Sequence, residues 1–127
     1  MAKELILMIE DNEKNRKLMR DVLQFQGYRT VESENAEEGL RMAGTLAPAL
    51  ILMDIHLPGM NGIEALGALR ADPETRNIPV MAVTASVMPQ DHQKVTSAGF
   101  DGYQSKPINV KEFLKAVEDI LKRGKSP

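Results

Sequence analysis

Three short apolar runs constrain this chain more than any other feature. Leu5–Ile9 is followed by Glu10 and Asp11, Leu50–Met53 by Asp54, and the run from Val80 to Val83 by Thr84. Each is far too short to cross a membrane and too continuous for a half-exposed strand. Each reads as a parallel strand buried on both faces. Ligands of open α/β sheets sit outside the carboxyl ends of such strands. The polar residues that end the runs therefore stand where chemistry is usually done. A lone strand-end Asp54 can also simply cap the turn that follows, here rich in Pro58, Gly59, Asn61 and Gly62. The rest of the chain has to decide between the two.

Helix patterns fill the spaces between the strands. Asn12 can cap a helix whose Leu18, Val22 and Phe25, with Met19 and Leu23, form one apolar stripe, and Gly27 stops it. A short strand over 28–31 carries flanking charges, as an edge strand does. Asn35 and Glu38 resemble a capping box, opening a helix marked by Ala36, Leu40, Ala43 and Ala47 and closed by Pro48. Ile63, Leu66 and Leu69 mark a third helix that ends near Asp72 and Pro73. The segment 88–98, starting at Met88, is the least apolar helix candidate, and Gly99 stops it. A weaker strand lies in 100–105. Asn109 and Glu112 then open the clearest amphipathic helix, with Val110, Phe113, Leu114, Val117, Ile120 and Leu121.

Five strand–helix alternations predict an α/β fold, a five-stranded parallel sheet with five helices on both faces. A flavodoxin-like strand order of 2-1-3-4-5 sets the first and third strands side by side at the switch point. These are the strands that end in Glu10-Asp11 and in Asp54. The 127 residues make one domain, 1–127, with a core over about 4–122 and a frayed tail over 123–127. A net charge of −2 gives no bulk electrostatic reason to bind nucleic acid or membrane. The absence of cysteine removes disulfides, thiolate catalysis and thiolate metal sites. No secretion pattern or membrane-length apolar run is visible, so a cytoplasmic location is expected.

Three carboxylates converging at one sheet edge require an explanation. Like charges about 4 Å apart repel by roughly 4 kcal/mol at an effective dielectric near 20. Protonation or a bound cation relieves that repulsion. Oxygen ligands favour a hard ion, and a partial site completed by water favours Mg²⁺ over Ca²⁺. The other strand ends bring the hydroxyl of Thr84 and the ammonium of Lys106, held by Pro107. Carboxylates, hydroxyl, cation and lysine together suit a phosphoryl group. Asp54 is the natural nucleophile, since carboxylates form acyl phosphates.

Four motifs carry a family resemblance: Glu10-Asp11-Asn12, Met53-Asp54-Ile55-His56-Leu57-Pro58-Gly59-Met60-Asn61-Gly62, Val83-Thr84-Ala85 and Ser105-Lys106-Pro107. In this order and spacing the chain resembles a response-regulator receiver domain over essentially its full length. With Asn15, Leu52 and Met88 it looks most like single-domain regulators of the DivK type. The resemblance implies that Asp54 accepts a phosphoryl group from a phosphohistidine on a sensor histidine kinase or histidine phosphotransfer protein. It implies that Glu10, Asp11, Asp54 and the backbone carbonyl of His56 hold Mg²⁺, with Mn²⁺ as a substitute. Thr84 and Lys106 would bind the phosphoryl oxygens, small Ala85 would leave room for the second switch residue Tyr103 to swing inwards, and the Lys106–Pro107 bond would be cis. An output protein would read the face of 88–98, Tyr103 and the last helix.

Two residues depart from the commonest pattern. Glu10 replaces an Asp, and His56 stands where a smaller amide or acid is frequent. The His56 side chain could orient hydrolytic water, or point to solvent and leave only its carbonyl in use. Other readings remain open at this stage. One is a receiver domain excised from a hybrid kinase or multidomain regulator. A remote one is an aspartyl phosphatase, although His56 stands where such enzymes of the haloacid-dehalogenase type place a second Asp. Otherwise the expectation is a switch that is not an enzyme beyond its own phosphorylation and dephosphorylation.

Overall fold

The computed structural model describes residues 3–85, 93 and 97–124. Strands β1 (Leu5–Ile9), β2 (Arg29–Ser33), β3 (Leu50–Met53), β4 (Val80–Thr84) and β5 (Gly102–Ser105) form one parallel sheet in the order β2-β1-β3-β4-β5. This is the order expected from the chain. Helices α1 (Glu13–Phe25), α2 (Ala36–Leu46), α3 (Gly62–Ala71) and α4 (Val110–Gly124) accompany it. The expected helix over 88–98 lies outside the described residues, apart from Gln93, Ser97 and Ala98, so four of five helices are described. Among the described residues, no helix is long and apolar enough to cross a membrane.

The alternation of side chains along each strand divides the interior in two. Ile6, Met8, Leu50, Leu52, Met81 and Val83 face a core closed by Met19 and Leu23 of α1 and Phe113, Val117 and Ile120 of α4. Leu7, Ile9, Ile51, Met53 and Val80 face a second core closed by Ala36 and Ala43 of α2 and Leu66 and Leu69 of α3. Every residue of β3 and β4 is buried, whereas β5 is only half-buried, as an edge strand should be.

Helix starts follow their caps. The side chains of Asn12, Asn35, Asn61 and Asn109 accept hydrogen bonds from the amides three residues on. At Asn61 the box is reciprocal, because Glu64 also accepts from the Asn61 amide at 3.1 Å. Asn61 therefore opens a helix as well as belonging to the turn after β3. At the other end of α2, Ala47 is left-handed (φ 48, ψ 60), one residue before Pro48. Proline disfavours the helical region for its predecessor, so the chain leaves the helix here.

One helix face and two boundaries differ from the expectations. The stripe of α1 is rotated: Met19 and Leu23 are buried, but Leu18 is 42% and Phe25 87% exposed, and Arg16 occupies the buried side instead. Sequence spacing alone treated every large apolar residue as inward-facing, and this helix leaves two outside. Strand β2 starts at Arg29 and runs to Ser33, two residues beyond Val31, because Met8 and Ile9 continue the ladder to Glu32 and Ser33. Helix α4 runs to Gly124, into the expected tail, and Arg123 donates to the carbonyl of Asp101 at 3.1 Å.

Two substitutions test this packing. Ala47→Gly should raise stability by about 1 kcal/mol, because glycine adopts the left-handed conformation without a Cβ penalty, less its extra unfolded-chain entropy. An unchanged urea midpoint would show that Ala47 bears no strain. Gly62→Ala should destabilise by about 1–3 kcal/mol. A Cβ there would lie 2.8 Å from both the Asp54 carbonyl oxygen and Ile55 Cα, which are backbone atoms that cannot rotate away. Denaturant melts of the two proteins measure this directly.

Candidate functional site at the carboxyl edge of the sheet

The strand order brings Glu10, Asp54, Thr84 and Lys106 to one edge. Backbone hydrogen bonds fix their places. The Asp54 amide donates to the Ile9 carbonyl at 3.0 Å, joining the ends of β3 and β1. The Lys106 amide donates to the Thr84 carbonyl at 2.8 Å, extending the β4–β5 ladder by one step. The Lys106–Pro107 peptide is cis, as expected.

The side chains converge from these anchors. Glu10 is 1% and Asp54 6% exposed, Thr84 is fully buried, and Asp11 faces solvent. One oxygen from each of Glu10, Asp11 and Asp54 lies within 4.8 Å of the others. Lys106 Nζ sits between two of them, 2.5 Å from Glu10 Oε1 and 3.0 Å from Asp54 Oδ2. Only the Asp54 contact has hydrogen-bond geometry. Asp54 Oδ1 accepts from the His56 amide at 2.9 Å, and Glu10 Oε2 from the Asn12 amide at 3.1 Å. Glu10 Oε1 is thus buried and held by the Lys106 ion pair.

Burial pushes the Glu10 carboxyl up to about 7, with the nearby charge of Asp54 adding to it, although Lys106 and the Asn12 amide work against the rise. Burial works against the Lys106 ammonium too, but its contacts with Glu10 and Asp54 outweigh that and hold it above the ordinary lysine value. Among the described residues a single lysine therefore faces two buried carboxylates, with a third close by. The donor set is all oxygen and partly open to solvent through Asp11. It fits a hard divalent ion that keeps several waters.

The remaining expected residues are placed less centrally. The side chain of His56 is exposed. Ala85 is exposed at the end of β4, and Tyr103 is half-buried against a small cluster of Ile55 and Ala82. Met88 lies outside the described residues. One residue near the site went unread: Arg16, which is buried and donates from Nη1 to the carbonyl oxygen of Glu10 at 2.8 Å. Its visible trace is its position, three and seven residues before Met19 and Leu23, on the same side of the helix.

Comparison with known proteins agrees with this geometry. Residues 6–118 match the model of the response regulator receiver domain. The chain is 42% identical over 116 residues to the polar-differentiation response regulator DivK of Brucella anthropi, covering 91% of this chain and 94% of that protein. It is 41% identical to DivK of Brucella ovis over the same lengths. Among solved structures, a putative response regulator from Chloroflexus aurantiacus superposes with a TM-score of 0.91 at 25% identity, covering 96% of this chain and all of that one. The receiver domain of a Pseudomonas aeruginosa sensor histidine kinase, which has magnesium coordinated in its active-site cleft, superposes with a TM-score of 0.88 at 29% identity, covering 95% and 99%. Strand order, the acid cluster at the sheet edge and sequence likeness across nine-tenths of the chain agree: it belongs to the response-regulator receiver domains of two-component signalling.

Proposed function

We propose that Asp54 accepts a phosphoryl group from a phosphohistidine on a histidine kinase or histidine phosphotransfer protein, and that the phosphorylated domain is read by a partner through protein contact. The observation that carries this reading is the Lys106 ammonium 3.0 Å from Asp54 Oδ2, beside the paired acids of β1. In the transfer, an Asp54 oxygen forms a bond to phosphorus as the phosphorus–nitrogen bond breaks. The imidazole leaves with that electron pair and takes up a proton. Lys106 would turn from the carboxylate to the phosphoryl oxygens, and the Thr84 hydroxyl would donate a hydrogen bond to them. Glu10, Asp11, Asp54 and the carbonyl of His56 would hold Mg²⁺, or Mn²⁺ in its place, which supplies positive charge against the phosphoryl oxygens. The chemistry of the domain ends with gain and loss of this group, so it acts as a switch rather than as an enzyme on other substrates.

In this reading the output face comprises the segment 88–98, Tyr103 and the last helix, with small Ala85 leaving room for the Tyr103 ring. Tyr103 already leans on Ile55 and Ala82, next to the phosphoacceptor strand. A rearrangement at Thr84 and Ala85 would change the space available to its ring. Regulators of the DivK type supply a functional analogy, since the chain matches them over 94% of their length.

Acetyl phosphate with Mg²⁺ should add one phosphoryl-sized mass to the intact protein, and Asp54→Asn should add none. A gain that persists in Asp54→Asn would move the acceptor elsewhere, and steady turnover of phosphomonoesters would make the protein a phosphatase. A second expectation concerns pH. In the metal-free protein Glu10 is about half protonated near pH 7, so cation binding there displaces a proton. Mg²⁺ affinity measured by calorimetry should rise with pH from 5.5 to 7.5 and then level, with the rise much reduced in Glu10→Gln. The stability of the metal-free protein should run the other way. A raised carboxyl favours folding at low pH, and that contribution is lost as pH climbs through about 7.

A further inference from the structure

Arg16 makes a set of contacts that no role in phosphoryl transfer accounts for. It is a charged residue on α1, yet only 9% exposed. Its guanidinium donates from Nη1 to the Glu10 carbonyl oxygen at 2.8 Å. Nε lies 3.2 Å from Glu32 Oε1 on β2, and Nη2 lies 3.3 Å from Glu34 Oε1 just beyond β2. One rigid fork thus ties the last residue before the Asp11 turn to the end of the neighbouring strand. Lysine, a point charge with one nitrogen, could not hold three partners in these directions.

We infer that Arg16 is a positioning residue for the acid pair. It acts through the Glu10 backbone, fixing the carbonyl from which the chain turns to present the Glu10 and Asp11 carboxylates. The inference rests on the proposed cation site. Partners of this kind, which hold a ligating residue without touching the ion, commonly change affinity by 10–100-fold when removed.

The neighbouring Arg20 supplies a matched control. It binds the other oxygen of the same glutamate, with Nη1 2.8 Å from Glu32 Oε2, and no bond joins it to Glu10. Because Arg20 remains on Glu32, an Arg16→Met variant does not strand that carboxylate. Loss of either arginine removes an ion pair to Glu32, but only loss of Arg16 frees the Glu10 carbonyl.

The experiment compares wild type, Arg16→Met, Arg16→Lys and Arg20→Met. Mn²⁺ affinity is measured by electron paramagnetic resonance, and exchange of the Asn12 amide by NMR in the metal-free proteins. That amide donates to Glu10 Oε2, so its protection reports the posture of the acid turn without any ion. Arg16→Met should weaken Mn²⁺ binding by roughly tenfold and speed Asn12 exchange. Arg16→Lys should fall between it and wild type. Arg20→Met should leave both readings near wild type. Equal effects of Arg16→Met and Arg20→Met, or no effect of either, would overturn the assignment. Failure of both Arg16 variants to fold would overturn it too, by making the residue structural alone. A wild type that binds no Mn²⁺ would instead sink the cation site, and unchanged Asn12 exchange in Arg16→Met would then sink the positioning role as well.

Discussion

One ammonium group against two buried carboxylates is the interaction on which this site depends. Glu10 and Asp54 leave adjacent strands and are almost wholly shielded from water, so nothing but protein or a bound ion can offset their charge. Lys106 supplies one positive charge from β5 and reaches both. That leaves the cluster short of positive charge whenever Glu10 and Asp11 are both ionised. Burial, with the charge of Asp54 adding to it, accordingly lifts the Glu10 carboxyl to about 7. A site in this condition favours a cation, and favours the proton when no cation is there.

Much of this was legible in the residues because burial on both faces leaves little freedom of interpretation. Runs such as Leu50–Met53 and Val80–Thr84 can be neither surface strands nor amphipathic helices, and their spacing fixes the alternation of elements. Once the alternation is known, Glu10, Asp54, Thr84 and Lys106 must share an edge. Parallel strands all end on the same side, and each of these residues ends or follows a strand. The family motifs then name the chemistry that the edge suits.

What escaped reading was the facing of individual side chains. Helix α1 has more large apolar residues than its buried side can take, and reading all five as one stripe ignores that limit. That single stripe includes Leu18 and Phe25, whereas the protein leaves both outside and buries Arg16. An arginine can occupy such a place only where a carbonyl and carboxylates meet it. Those partners come from β1 and from β2 and its following turn, far from α1 in sequence. Asn61 was hidden differently. In a run with two glycines and a proline it read as a turn residue, although Glu64 three places on completes a capping box.

The sheet is a bulkhead between two compartments. Side chains of β1 and β3 alternate strictly between a core under α1 and α4 and another under α2 and α3, so these two strands allow no side-chain traffic through the middle. Glu10, Asp54, Thr84 and Lys106 stand on the rim of the sheet, where the strands give way to loops entering both layers. Whatever settles among them touches loops that lead into both helical layers at once.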